Sequence, residues 1–388
     1  MHIGHYREYC EENFQAKSWG EKIHDKRKRP QITALQVFNA VSQMPVFAQK
    51  SLAEVDGFLK LPEARAFHGS RRNMVASDSS IQRITAGMAV ESIRAVGYEV
   101  IDKADERELW DLKLPSGRKL RMGIMDGHCA GGIWVSVFGA SGKSDGVVDL
   151  KRYRGRGCEL EASRALAKRV FGELGDGYFE IVAGDGLYAT QEDFRLFLNH
   201  GSHLLVKTDE ETLTVIQDAR HLFNLRDADT LEGIERAEGY DEKRAIEYKV
   251  MWTEGMDWQG LKLTVAWIRE HHLKPQKGQP ENTEFWVLTT ATGLTGEDLR
   301  ELAHRRWEIE NNVFKRLNFL VKSKKHWSRE AKVMELFLRM WMIGLTLLGA
   351  YLIEWGWQKF RECWGAVLQT WNEVAKRMGI SLIRLYAG

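Results

Sequence analysis

Two aspartates occupy comparable places in the sequence, each after an apolar run and each directly before a glycine. Asp126 ends "GIMD" and precedes Gly127, and Asp185 ends "IVAGD" and precedes Gly186. A carboxylate at the end of a buried strand must be hydrated, hydrogen-bonded or metal-bound, because an isolated buried charge is too costly. Two carboxylates held close together repel unless a divalent cation lies between them, and Mg²⁺ prefers such oxygen ligands. The pair therefore indicates either a metal site or two turns, since Asp-Gly is also a common turn dipeptide.

A third carboxylate comes from "RRWEIENN", residues 305–312, which contains Glu308 and Glu310. If this stretch continues one α-helix that begins near Gly296, about 100° per residue places Arg306 in the buried stripe. The same geometry places Glu310 at the margin of the stripe and Glu308 toward solvent. The apolar residues that define this buried stripe are Leu302, Ile309, Val313, Leu317 and Leu320. Glu310 is then either a third metal ligand or the i,i+4 ion-pair partner of Arg306.

The elements around the aspartates predict how they are positioned. Three short strand-like runs, "LRMGIMDG", "IWVSVFGA" and "GVVDLKRYR", are separated by turn residues. A helix at 159–174, a strand ending at Asp185, a second helix and the strand "HLLVKT" follow. This order is that of a ribonuclease H-like fold, whereas a Rossmann fold would alternate strand and helix from its start. It makes the first and fourth strands parallel neighbours, with both aspartates at one edge.

The predicted fold class is therefore α/β, with a ribonuclease H-like mixed five-stranded sheet and helical regions at both ends of the chain. Residues 1–115 read as helical and form the predicted N-terminal DNA-binding region. The core comprises 116–208 and 284–325, because the strand-helix alternation stops near Lys207 and resumes at "EFWVLTT". Residues 209–283 are a predicted β-rich insertion before the last helix of the core. Residues 326–388 are a predicted helical C-terminal region.

Composition places the chain among ordinary globular proteins, with 44% hydrophobic and 28% charged residues in 388. The four cysteines are far apart and form no CxxC pair, so neither a disulfide framework nor a thiolate zinc site is indicated. The first residues lack the apolar core of a signal peptide, which predicts a cytoplasmic protein. The apolar run "MWMIGLTLLGAYLI" is shorter than the ~20 residues of a membrane span. We expect a buried helix there and no membrane contact.

Basic clusters offer candidate contacts to phosphate, although the net charge of +2 does not by itself indicate nucleic acid. "KRYRGRG" contains Arg152, Arg154 and Arg156. "KSKKHW" contains Lys322, Lys324 and Lys325. Each cluster is either a solvated surface or a stretch that follows a nucleic-acid backbone.

Some aromatic and imidazole side chains are further candidates. His128 follows Asp126 by two residues, so it either contacts metal or phosphate or is a hydrogen-bonded structural residue. Trp252, Trp258 and Trp267 lie in the insertion. They either pack a small β-structure or stack on an unpaired base.

These residues resemble the DDE transposases of bacterial insertion sequences, in the branch with a Tyr-Arg-Glu-Lys signature in its last catalytic helix. The resemblance covers roughly residues 30–355 and is carried by "GIMDGH", "AGDGLYA", "RRWEIENNVFKRL" and the insertion before the last of these. Two signature positions differ. Ala303 stands where the family has tyrosine, and Leu317 stands where it has lysine, with Lys315 and Lys322 the nearest lysines.

The resemblance implies an enzyme that cuts phosphodiester bonds at transposon ends and joins them to target DNA. It makes Asp126, Asp185 and Glu310 the ligands of two Mg²⁺ ions, for which Mn²⁺ can substitute. It also implies DNA contacts by Arg306, Tyr188 and Lys315, with double-stranded DNA as partner and a homodimer on DNA. Two other classes remain open: a ribonuclease H-like nuclease that cuts without joining, and a non-catalytic DNA-binding protein derived from a transposase.

Overall fold

Helices form the first and the last of the described segments, and strands form most of the segments between them. A computed structural model of the chain describes residues 3–68, 75–155, 157–225, 232–275, 278–356 and 373–379. The helices within these ranges are α1 Ile3–Phe14, α2 Trp19–Lys22, α3 Ala34–Ser42, α4 Met44–Phe47, α5 Leu52–Leu59, α6 Pro62–Phe67, α7 Asp78–Gly87, α8 Val90–Glu106, α9 Glu159–Leu174, α10 Gln191–Asn199, α11 Thr214–Phe223, α12 Gly296–Arg305, α13 Lys315–Val321 and α14 Ala331–Tyr351. Residues 373–379 are also helical.

The strands of the described residues belong to one mixed sheet. They are β1 Asp111–Lys113, β2 Lys119–Ala130, β3 Ile133–Ser141, β4 Asp145–Tyr153, β5 Ile181–Asp185, β6 His203–Thr208, β7 Ile234–Asp241, β8 Ile246–Trp258, β9 Leu261–His272 and β10 Asn282–Thr289. Their order is β4-β3-β2-β5-β6-β10-β9-β8-β7, and β1 pairs with β2. The predicted α/β class is confirmed, and β2 and β5 are parallel neighbours as predicted.

The sheet has more strands than the predicted five. β10 pairs antiparallel with β6, and β9, β8 and β7 follow beyond it. The strands of the insertion therefore extend the same sheet. The physical reason is that the last predicted strand, β6, would otherwise present an unpaired edge, and pairing satisfies the backbone groups of that edge.

The chain divides into two compact units. Unit 1 comprises Met1–Trp110, Gly127–Leu166 and Ile309–Gly388, and unit 2 comprises Asp111–Asp126 and Ala167–Glu308. Helix α14 is the central element of unit 1 and packs against α3, α8 and β4. The stretch Ala331–Glu354 is long and apolar enough to cross a membrane, yet 89% of its most apolar window is buried inside the protein. This burial is that of the core helix of a soluble protein, which confirms the predicted buried helix.

A buried ion pair fixes α14 to the sheet side of unit 1. The Asp149 carboxylate on β4 accepts hydrogen bonds from Arg339 Nη1 at 2.6 Å and from the Tyr98 hydroxyl at 3.0 Å. Arg339 Nη2 donates to the Leu150 carbonyl oxygen at 2.6 Å. Because the pair is hydrogen-bonded on both sides, removing one partner would leave a buried charge uncompensated. The cluster therefore sets the position of α14 relative to α8 and β4.

Helices α3 and α14 cross at Gly344. A methyl group at this position would overlap the Ser42 carbonyl group at the end of α3. Helix α3 cannot easily move, because Thr33 and Gln36 form a capping box at its start and its apolar face is buried. The close approach therefore requires a glycine for steric reasons.

We predict that Gly344→Ala destabilises the chain by roughly 1–3 kcal/mol or more, because added volume in a packed interior forces a backbone shift. Gly172→Ala in α9 is the matched control, since nothing lies within 4 Å of a methyl group there. That change should be neutral or stabilise by up to about 1 kcal/mol. Urea unfolding of both variants measures the difference, and equal midpoints would contradict the assigned crossing.

Candidate functional site

The two predicted aspartates lie level with each other on neighbouring strands of unit 2. β2 and β5 pair in parallel with Ile124 opposite Ala183, and the same register continued by two residues brings Asp126 beside Asp185. Residues that are level on adjacent strands point to the same face and have Cα atoms about 5 Å apart. Both aspartates are half-buried. The register of the parallel pairing thus places the two residues on one face, just beyond the last recorded pair.

The turn interpretation is wrong for Asp126. β2 does not end there but continues to Ala130, and the turn is made by Gly131 and Gly132 with φ of 53° and 80°. The sequence "HCA" stays extended because it belongs to the hairpin with β3. Gly127 has a steric role instead, since a methyl group there would overlap the Glu159 carboxylate.

Asp185 has a local structural role as well. It ends β5, and its Oδ1 accepts a hydrogen bond from the Leu187 backbone N–H at 3.0 Å, at the start of a 3-10 turn over Gly186–Tyr188. A carboxylate can accept about four hydrogen bonds, so one N–H leaves capacity for a cation. Asp185 is therefore both a cap and a candidate ligand.

Lys207 extends this row of side chains, and sequence reasoning missed it. It is level with Asp185 on β6, and its Nζ lies 3.7 Å from the centroid of the Phe285 ring and 3.8 Å from that of Trp307. Burial of the ammonium group, with the charges of Arg306 and Arg300, lowers the pKa of Lys207 to about 8 against the opposing effect of Glu270. The sequence does contain a signal for Lys207, since a charged lysine directly follows the apolar residues of "HLLVK".

Arg306 is a second cation in the same unit. It is 8% exposed, as the predicted stripe requires, and its Nε has no hydrogen-bond partner. Its guanidinium lies 5.6 Å from the Trp307 ring centroid. A buried guanidinium N–H without an acceptor is costly, and a phosphate oxygen is a strong acceptor for it.

An ionic network fixes α12, the helix that leads to Arg306, against the strands of unit 2. Glu270 on β9 accepts hydrogen bonds from Arg300 Nε at 2.5 Å and from His304 Nε2 at 2.6 Å. Arg300 Nη1 also donates to Asp241 on β7 at 3.1 Å. Burial raises the pKa of Glu270, but the hydrogen bonds and charges of His304 and Arg300 outweigh it and lower the pKa to about 2.

We predict that Glu270→Gln costs about 3 kcal/mol of stability at pH 7, because Arg300 loses the nearer of its two carboxylate partners and keeps only Asp241 of the two. The folded-state pKa of about 2 lies below the ordinary glutamate value of about 4.3. The charge of Glu270 therefore stabilises the fold above about pH 4, and this contribution is lost as pH falls toward 2.

The free energy of unfolding of the wild type and of Glu270→Gln, measured at pH 7 and at pH 3, tests this. The difference in stability between the two proteins should be smaller at pH 3. Glu238→Gln is the control, because its side chain is 76% exposed in a 3.6 Å pair with Lys249. A pH-independent difference for Glu270→Gln would contradict the assignment.

The single long α-helix predicted from Gly296 is wrong. α12 ends at Arg305, the Trp307 N–H bonds to the His304 carbonyl three residues back, and a π-helical segment runs over Ile309–Phe314 before α13. Hydrogen bonds from i to i+5 turn each residue by less than the about 100° of an α-helix. Angles counted across the break therefore do not hold.

The predicted orientations of the two glutamates are consequently wrong. Glu310 is exposed, and Glu308 is half-buried and accepts a hydrogen bond from Arg305 Nη1 at 3.1 Å. The apolar stripe residues are nevertheless buried, because each segment keeps its own inward face. These residues are Leu302, Ile309, Val313, Leu317 and Leu320. A π-helical turn inside a helix is frequent at functional sites.

Contacts within unit 1 fix the π-helical segment that carries Glu310. The His128 ring stacks on Phe314 with centroids 4.0 Å apart, and Asn312 Nδ2 donates to Asp145 Oδ2 at 2.8 Å. Burial and the charge of Lys324 lower the pKa of His128 to about 4, so its ring is neutral at pH 7. Its buried Nε2 has no hydrogen-bond partner. The structural interpretation of His128 thus holds through stacking and not through hydrogen bonding.

The residues predicted to contact DNA differ in exposure. Tyr188 is 1% exposed and packs under Gly184, so it is a core residue. Lys315 is exposed and donates to Asn311. Arg152 lies 3.9 Å from Glu335, Arg154 is exposed, and Arg156 lies outside the described residues. The exposed lysines after α13 are Lys322, Lys324 and Lys325.

The tryptophans of the insertion pack within the sheet unit. Trp252 and Trp258 are 8% and 7% exposed, and Trp258 meets Phe194 edge-on at 5.9 Å. Trp267 stacks on Trp286 at 5.5 Å. The packing interpretation therefore holds for all three. Trp307, which sequence reasoning did not single out, is 41% exposed.

Ligand geometry and sequence comparison give two further findings. Within the described ranges, no group of three or more His, Cys, Asp or Glu side chains is arranged to hold a metal ion. In a scan of the sequence against the profiles of known protein families no profile matches, and a search of curated proteins finds no significant match.

Proposed function

We propose that the chain is a DDE-type DNA transposase, which cuts phosphodiester bonds at the ends of a mobile element and joins them to target DNA. The observation that carries the proposal is the parallel pairing of β2 with β5, because its register, continued by two residues, puts Asp126 level with Asp185. The strand order β4-β3-β2-β5-β6, with helices after β4 and β5, supports a ribonuclease H-like catalytic fold.

The paired aspartates have the donor atoms that Mg²⁺ or Mn²⁺ requires, since both ions prefer carboxylate oxygens. Asp126 and Asp185 would hold the metal, and Glu310 would supply the third carboxylate. The support for Glu310 is its sequence spacing and its exposure on the π-helical segment, which leaves the carboxylate open to a ligand. Two bound ions supply activation of the attacking oxygen and stabilisation of the leaving oxygen in an in-line displacement.

Cationic side chains around the aspartates support a phosphate substrate. Lys207 lies next to Asp185 in the sheet, and the Arg306 Nε lacks an acceptor. We expect these two groups to bind the phosphate that is cut, and the exposed Arg152, Arg154 and Lys322 to bind neighbouring phosphates. Such contacts position DNA and make its binding depend on salt, but they do not select a sequence.

The proposed partners follow from the resemblance to the DDE transposases. The substrate is double-stranded DNA, both as the element's ends and as the target, and the working form on DNA is a homodimer in the cytoplasm. A nuclease would use the same aspartates but produce no joined product. A DNA-binding protein without activity would leave the DNA intact, and the assay below distinguishes the three.

The test uses labelled duplexes that carry the inverted repeats flanking the gene, with Mg²⁺ and a target plasmid. We predict cut and joined products from the wild type and none in EDTA. Asp185→Asn and Glu310→Gln should each lower cleavage by at least about 100-fold, since even residues behind a metal ligand cost 10–100-fold. Glu308→Gln is the control and should retain cleavage, because the Glu308 carboxylate pairs with Arg305 on the same helical turn and is not a proposed metal ligand.

Melting temperature and DNA retardation are measured on the same variants to separate folding from chemistry. If the DNA is cut but not joined, the chain is a nuclease and the transposase proposal is wrong. If the DNA is retarded but stays intact, the chain is a DNA-binding protein without cleavage activity. An active Glu310→Gln variant would remove Glu310 from the site while leaving the aspartate pair.

A further inference from the structure

A cavity of about 730 Å³ lies in unit 1, among α1, α3, α14 and the loop at 29–33. Pockets that bind small molecules have volumes of roughly 300–1,000 Å³, so this one has room for a ligand of nucleotide size. Its described lining contains no residue of the proposed cleavage site. It is therefore a separate feature of the molecule.

The residues that line this cavity include three with buried polar atoms that lack a partner. They are Trp19 Nε1, Gln43 Oε1 and His68 Nδ1, which are three of twelve such atoms among the described residues. Trp19 and His68 are only 3% and 4% exposed. Buried polar groups are almost always hydrogen-bonded in native proteins, so a cluster of exceptions around one cavity points to a missing partner.

The chemistry of the wall restricts that partner. The Trp19 indole only donates, the Gln43 carbonyl oxygen only accepts, and a neutral imidazole can do either. Burial and the charge of Arg7 lower the pKa of His68 to about 3, so its ring is neutral at pH 7. Trp19 and Phe67 are aromatic residues of the lining, 3% and 4% exposed. A planar ring with both donor and acceptor groups on its edge fits this wall.

The charged part of the lining favours an anion. Arg7 and Lys17 share one carboxylate, Glu11, at 2.9 Å and 2.8 Å. Arg29 lines the same cavity and is exposed. Three cations against one carboxylate leave two positive charges, and arginine and lysine together bind phosphate well.

We propose that this cavity binds a nucleotide, with the base against Trp19, Gln43 and His68 and the phosphate at Lys17 and Arg29. The ligand class follows from a planar hydrogen-bonding wall next to an excess of positive charge. The proposal goes beyond strand cleavage and does not depend on it, because it uses neither the aspartate pair nor a metal.

The test is calorimetric titration of the full chain, in EDTA, with the four ribonucleoside 5′-monophosphates, with their nucleosides and with inorganic phosphate. EDTA prevents metal-bridged binding at the aspartates. At least one monophosphate should bind with one site per chain, and about 10-fold more tightly than its nucleoside or phosphate alone, because both halves of the wall are used.

Three variants assign the binding to the cavity. Trp19→Phe and Gln43→Leu should each weaken monophosphate binding by about 10-fold, since each removes one buried hydrogen bond. Arg29→Gln should reduce the affinity for the monophosphate to that for the nucleoside. Thr85→Val is the matched control, because Thr85 Oγ1 is also buried without a partner but does not line the cavity.

Melting temperatures confirm that each variant is folded, and the exposed Arg29 keeps the test valid if a core variant does not fold. The proposal is overturned if no monophosphate binds at millimolar concentration, or if all three variants bind like wild type. Binding of a DNA duplex without binding of any mononucleotide would also overturn it. Loss of cleavage activity in the transposition assay has no bearing on this result.

Discussion

The backbone ladder between β2 and β5 fixes the two strands in parallel as far as Ile124 and Ala183, and Asp126 and Asp185 each follow it by two residues. Like charges on neighbouring strands are tolerated only when solvent, a hydrogen-bond donor or a cation compensates them. The Leu187 N–H compensates one oxygen of Asp185. Lys207 is level with Asp185 on β6 and adds a positive charge on the same face. The carboxylate oxygens of this face are the physical basis of the proposed metal chemistry.

Buried ion pairs fix the elements of unit 2 that carry the other candidate site residues. Glu270 holds Arg300 and His304, and this network fixes α12 up to Arg306. In unit 1 the same principle operates at Asp149 and Arg339, where a satisfied ion pair joins α14 to the strands. Because an unpaired partner would be costly in either place, each pair restricts its helix to one position. Stability and the position of candidate site residues are thus coupled.

Much of the fold followed from local sequence patterns. The hairpin strands, the parallel pairing of β2 with β5 and the burial of α14 were predictable, because alternation and apolar runs report burial directly. Other features depend on pairing between distant residues. The extension of the sheet through β10 and the placement of Lys207 beside Asp185 follow from strand register, which no local pattern encodes.

The candidate site was predicted in part, and its errors have one physical origin. The parallel neighbours that carry Asp126 and Asp185 were predicted correctly, but Glu310 was oriented by assuming one uninterrupted α-helix. The break after Arg305 and the π-helical turn change the angle between residues, and the sequence "RRWEIENN" contains neither proline nor glycine to announce it. Tyr188 is buried for a similar reason, since its 3-10 turn folds the ring under Gly184.

The central claim is that Asp126 and Asp185 together form a divalent cation site. Electron paramagnetic resonance of Mn²⁺ titrated into the protein without DNA tests it directly, because bound and free Mn²⁺ give separable signals. We predict saturable Mn²⁺ binding by the wild type that Mg²⁺ displaces and that Asp126→Asn, Asp185→Asn and the double variant all lose. Equal Mn²⁺ binding by wild type and the double variant would contradict it.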